Sequence, residues 1–131
     1  MGSRLIRVSS RALGEQRRVI VRVYDTLDEM RAAGSRFNGN PLDNAVGITQ
    51  AYCDPDGRVT VPIIRLSRGR LGTQIVSHEM HHAAAAIYGS TLPDDAPASD
   101  ALTHCNEPFA HLFSDLLRRL VDSLYRFGYY D

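Results

Sequence analysis

The sequence predicts an α+β fold: a small mixed sheet with a hairpin at its edge, packed on a buried helix carrying His78-Glu79-Met80-His81-His82 and on an amphipathic C-terminal helix. Three observations predict it. Val19, Ile20, Val21 and Val23 form a short β-branched run of the kind that fits a pleated sheet. Two further strand-like runs flank Asp54-Pro55-Asp56-Gly57, where Pro pre-sets the first turn angle and Gly supplies positive φ. Towards the C-terminus, Phe109, Leu112, Phe113, Leu116, Leu117, Leu120 and Leu124 recur at helical spacing.

A chain of 131 residues suits a single domain with its own core. It divides into a basic N-terminal arm, residues 1–17, and one domain over 18–131. Arg7, Arg11, Arg17 and Arg18 make the N-terminal stretch basic, and a solvated arm is expected there. The first strand spans Arg18 to Tyr24. Asp25 or Thr26 then caps a helix running to about Phe37, with Leu27, Met30 and Ala33 on one face and Gly34 weakening its end. Residues 38–44 are a loop by composition.

The hairpin pairs Val46 to Cys53 with Arg58 to Leu66. Pro62 has no N–H to give a ladder, which predicts a strand with an unpaired edge, either a substrate platform or simply an edge. A helix from about Leu71 to Tyr88 follows and stops at Gly89. The loop from Ser90 to Ser99 contains Pro93 and Pro97, a short turn is expected over Asp100 to His104, and the last helix spans about Glu107 to Phe127.

Composition narrows the function. Fifteen basic residues balance fifteen acidic ones, too neutral for a nucleic-acid footprint, so no nucleic-acid partner is expected. Every basic residue is Arg, a bias of the kind a GC-rich genome produces. No apolar run reaches the roughly 20 residues of a membrane span, and the N-terminus lacks the apolar stretch of a signal peptide. Cys53 and Cys105 are too few for a disulfide framework, so a reducing cytoplasm is the expected compartment.

The motif carries the chemistry. Helical residues four apart share a face, so His78 and His82 aim their imidazoles at one point, at the reach of a single Zn²⁺. Glu79 is rotated about 100° from His78. From there it addresses a water at the metal without being a ligand, which is the physical content of His-Glu-x-x-His. On the helical wheel His78 and His82 fall on the part expected to be buried, where unpaired imidazoles are costly. Met80 is expected to pack, and His81 to face out as a bystander.

A catalytic zinc needs a third protein ligand. The metzincin pattern fails, because Ala85 and Tyr88 stand where its Gly and third His belong. Downstream candidates are Asp94, Asp95, Asp100, His104, Cys105, Glu107 and His111. Glu107 ranks first, at the start of the last helix and at the edge of its apolar stripe beside Ala110, Ser114 and Val121. That position also suits an acid complementing a helix dipole. Cys105 reads as a small buried apolar residue, with inhibitory fourth ligand as the alternative.

His78-Glu79-Met80-His81-His82 together with Asn106-Glu107-Pro108-Phe109-Ala110 resembles the gluzincin metallopeptidases, and the order of elements is similar to the small ImmA/IrrE-type metallopeptidases. The resemblance covers about Val59 to Leu117. It implies a zincin-like fold, a zinc cofactor held by His78, His82 and Glu107, and Glu79 as general base. It also implies a peptide or protein substrate. One departure is His111, which stands where thermolysin-like members place an Asp that orients a zinc histidine; Asp115 or Asp100 are the possible substitutes. His104, His111 and Tyr88 are the candidate oxyanion donors, with His104 first and Tyr88 last. The expected activity is a zinc-dependent hydrolase, most simply a peptidase. The alternatives are an inactive zinc-binding regulatory module and a metal-free interaction domain.

Overall fold

The computed structural model describes residues 2–52, 55–56 and 59–130, the side chain of Asp100 excepted. Its strands are β1 (Ser3–Ser10), β2 (Arg17–Tyr24), β3 (Ile48–Gln50) and β4 (Ile63–Ser67); its helices are α1 (Leu27–Asn38), α2 (Thr73–Gly89), the short α3 (Ala98–Leu102) and α4 (Glu107–Arg126). The strands form one mixed sheet in the order β1-β2-β4-β3. β1 is antiparallel to β2, β2 parallel to β4, and β3 antiparallel to β4.

The predicted α+β class is observed, with helices on both faces of the sheet. On one face Val19, Val21, Val23, Ile64 and Leu66 pack with Val76, Met80, Leu112 and Leu116 from α2 and α4. On the other, Met30 and Ala33 of α1 pack with Tyr24 and Ile48. Period-2 alternation along each strand makes the two faces possible.

Residues 3–10, expected within a solvated arm, are an edge strand. Ile6, Val8 and Ser10 are buried beneath α4, while Arg7 points away. The alternation Ile6-Arg7-Val8 is the strand signal that the arginines masked. Thr26 caps α1 as expected, its hydroxyl accepting from the Glu29 amide, and Gly39 closes the helix at φ 76°. Gly34 does more than weaken α1: it is buried, and a Cβ there would stand 2.5 Å from Ile48 Cδ1. Its lack of a side chain lets α1 lie close against β3.

The hairpin is present but shorter than predicted, pairing Ile48–Gln50 with Ile63–Arg65. Beyond it the Thr60 amide still donates to the Tyr52 carbonyl at 2.7 Å. Of the predicted turn, Asp54 and Gly57 lie outside the described residues, as do Cys53 and Arg58. The unpaired edge is not on the strand after Pro62. That strand, β4, is paired on both sides, and even the Pro62 carbonyl accepts from Ile20 at 3.0 Å. The open edge beside α2 belongs to β3. No helix among the described residues is long and apolar enough to cross a membrane.

Candidate functional site

The site forms where α2 passes the free edge of β3. Val76, Met80, Ala83, Ala84 and Ile87 are the buried stripe of α2. This corrects the expectation that His78 and His82 are buried, for both are exposed and the His78 side chain is 64% accessible. The physical reason is that Ala83 to Ala86 make every side of this helix look apolar in sequence. Its large buried side chains, Val76, Met80 and Ile87, share one stripe, and that stripe seats it on the sheet.

His78 and His82 do converge. Their Nε2 atoms are 3.2 Å apart, and the rings meet nearly edge-on at 82°. Two nitrogens each about 2.05 Å from a tetrahedral zinc stand about 3.3 Å apart, so the pair already has the spacing of two zinc ligands. The same distance suits an N–H···N hydrogen bond when one ring carries the proton at Nε2.

Glu79, one residue on, turns inward and is only 6% exposed. Its carboxylate is held by β3: the Thr49 hydroxyl lies 2.8 Å from Oε1 and 3.0 Å from the Glu79 carbonyl oxygen, its single proton shared between the two acceptors. Oε2 is left 3.9 Å from His78 Nε2. Gly47 makes this approach possible, since a Cβ there would lie 2.9 Å from Glu79 Cγ and 3.0 Å from Oε2. Sequence reasoning missed Thr49 and Gly47; the only signal available was their place in the strand-like run that begins at Val46.

A cleft of about 570 Å³ runs along this edge, with His78, Glu79 and His82 on one wall and Phe37, Asn38 and Leu42 on the other. Residues Gly47 to Tyr52, in and on either side of β3, line it between them.

The remaining candidates lie elsewhere. Glu107 is 75% exposed and pairs with His111 at 3.4 Å on its own helix. Among the described residues, no set of three His, Cys, Asp or Glu side chains is arranged around one metal position. Ala110 and Ser114, the neighbours of Glu107 at the edge of the stripe, are exposed. The N-terminal half of α4 instead meets α2 through Phe109 and Phe113, whose rings contact the edge of His81 at 5.4 and 5.7 Å. His81, although exposed, is thus part of the helix–helix seam rather than a bystander, and Tyr88 joins it against Phe109. Asn106 caps α4 through the Phe109 amide and ties back to the Ala101 carbonyl. Asn106, Glu107 and Pro108 are therefore also the residues that start this helix.

His104 is exposed in the link between α3 and α4, and Asp94 and Asp95 are exposed before α3. Cys105 is an exposed free thiol, not the buried apolar residue expected, because the residues ahead of α4 run over the surface. Asp115, considered as an orienting acid, is engaged by Arg118 and Arg119. Ser10, Arg119 and Arg118, in that order of weight and against the opposing effect of burial, hold its carboxyl below the ordinary range. No protein-family model, curated protein or solved structure matches this chain.

Proposed function

We propose that this protein is a zinc-dependent hydrolase, most simply a peptidase, with a zincin-like arrangement of motif helix and edge strand. The observation that carries the reading is the exposed His78–His82 pair at zinc-ligand spacing, beside a buried Glu79 at the open edge of β3. His78 and His82 are two metal donors. Glu107 is the third-donor candidate from the sequence, and its joining them requires its carboxylate to leave His111. A zinc ion held there supplies Lewis acidity and a water of lowered pKa.

The chain's own residues do the rest. Thr49 fixes Oε1 of Glu79, which leaves Oε2 to take a proton from the attacking water and pass it to the leaving amine. The outer backbone groups of β3 offer an extended peptide a hydrogen-bonding ladder along the cleft. His104 is the sequence's candidate for the oxyanion donor.

The test is elemental analysis of the untagged protein, paired with peptide-library hydrolysis by the wild type and Glu79→Gln. One zinc per chain in both proteins is expected, with hydrolysis only by the wild type; hydrolysis by Glu79→Gln sinks the assignment. Glu107→Ala is expected to weaken zinc binding if Glu107 is the third donor.

A second reading is a zinc-binding module without turnover. It draws on the ion pair that occupies Glu107, and it predicts stoichiometric zinc with no cleavage of any peptide.

A further inference from the structure

Behind the wall of the cleft opposite the histidines, reached through Gln50, lies a buried charge beside which the described residues place no acid. Arg65 is 8% exposed, yet its bonds are to neutral groups. Nε donates to Gln50 Oε1 and Nη1 to the Tyr24 hydroxyl, each at 2.7 Å. The guanidinium carbon lies 5.5 Å from the centre of the Phe37 ring, which itself faces the cleft. Among the described residues no carboxylate pairs with Arg65, and a buried charge without a counter-charge is costly.

The hydrogen bonds that spread from Arg65 have one direction. Because Gln50 Oε1 accepts from Arg65, the Gln50 amide nitrogen is the donor, to the Gly34 carbonyl at 2.8 Å and to Asn38 Oδ1 at 3.0 Å. Asn38 is therefore oriented with its oxygen inward, and its Nδ2 is the end left for a ligand. Asn38 lines the cleft and is exposed. Among the described lining residues the single carboxylate is Glu79, on the opposite wall.

One structural effect opposes this field. Asn38 ends α1, whose dipole places about half a negative charge at that terminus. Arg65 carries a full positive charge, and Arg36 in the last turn adds another. Two carbonyls near this end also take side-chain donors, that of Gly34 from Gln50 and that of Phe37 from the Tyr52 hydroxyl at 3.1 Å. The formal charges at this end sum to positive, and Asn38 Nδ2 is the donor it turns to the cleft.

We propose that the Phe37–Asn38 end of the cleft is a subsite for a carboxylate of the bound peptide, with Asn38 Nδ2 as its donor and Arg65 as the charge behind it. This rests on the reading above only in taking a peptide as the cleft's occupant. The carboxylate is either an Asp or Glu side chain or a free C-terminus, and the two sources are separable.

The experiment measures binding of fluorescent Ala/Ser heptapeptides carrying one Glu, one Gln or one Lys, each with a free or an amidated C-terminus. The full chain is used with Glu79→Gln, with and without zinc, so that no turnover intervenes. About tenfold tighter binding of a carboxylate-bearing peptide is expected over its neutral or cationic counterpart. A preference for Glu over Gln with amidated ends assigns the site to a side chain; a preference for free over amidated ends assigns it to the C-terminus. Asn38→Leu is expected to abolish the preference and Asn38→Asp to turn it towards Lys. Both are changes at an exposed position, with circular dichroism as the folding check. Equal binding of all peptides, no binding of any, or an unchanged preference in Asn38→Asp overturns the proposal. Failure of zinc uptake or hydrolysis in the wild type counts against the peptidase reading alone.

Discussion

At the scale of single residues, the contact on which the site depends is between Thr49 and Glu79. A carboxylate this buried needs its oxygens satisfied, and Thr49 supplies the donor to Oε1. Thr49→Val keeps the shape and removes the hydroxyl, leaving Oε1 with a lost bond worth about 1–3 kcal/mol. We expect the variant to melt earlier and, if the protein is a peptidase, to lose about ten- to a hundredfold in kcat with KM nearly unchanged. Thr49→Ser, which retains the hydroxyl, is expected to recover most of both. A Thr49→Val protein with wild-type kcat would show that Thr49 serves packing and not the alignment of the base.

At the scale of elements, close approach matters more than propensity. Gly to Ala inside a helix ordinarily stabilises by about 1 kcal/mol. At Gly34 of α1 the opposite is expected. The new methyl would stand 2.5 Å from Ile48 Cδ1 and 3.2 Å from Leu42 Cδ1, and overpacking of this kind costs about 1–3 kcal/mol. Chemical denaturation of Gly34→Ala should therefore show a lower midpoint; a raised midpoint would mean that Ile48 yields freely. Because Ile48 belongs to the strand that carries Thr49, the same variant tests whether α1 sets the position of the site. The seam between α2 and α4 follows similar logic. Phe109 and Phe113 occupy the side of α2 that holds His81, which leaves His78 and His82 free towards β3.

At the scale of the molecule, β1 is held by more than its ladder with β2. Ile6 and Val8 lie under α4, and buried Ser10 is the largest influence lowering the pKa of Asp115 on that helix, beside Arg118 and Arg119. This carboxyl titrates below its ordinary value, so the folded state prefers the ionised form. The stabilisation is fully present above the ordinary Asp pKa of about 4 and is lost as pH falls through the lower folded value. Asp115→Asn should cost about 1 kcal/mol at neutral pH, and the gap to wild type should shrink below about pH 4. A gap that stays constant from pH 7 to pH 3 would show that packing, rather than charge, holds α4 to β1.

The sequence by itself determined what depends on neighbours along the chain. The four-residue spacing of His78 and His82 brings their Nε2 atoms together wherever α2 sits, because helical periodicity is a backbone property. The Thr26 cap and the apolar stripe of α4 were legible for the same reason. The tertiary structure alone decided what depends on distant partners. It chose which side of an alanine-rich α2 meets the sheet, exposing the histidines and burying Glu79. It brought Thr49 to Glu79 from thirty positions away, left Glu107 with His111, and drew residues 3–10 into the sheet. Burial and pairing are set by packing between elements remote in sequence. No local pattern encodes which remote surface arrives.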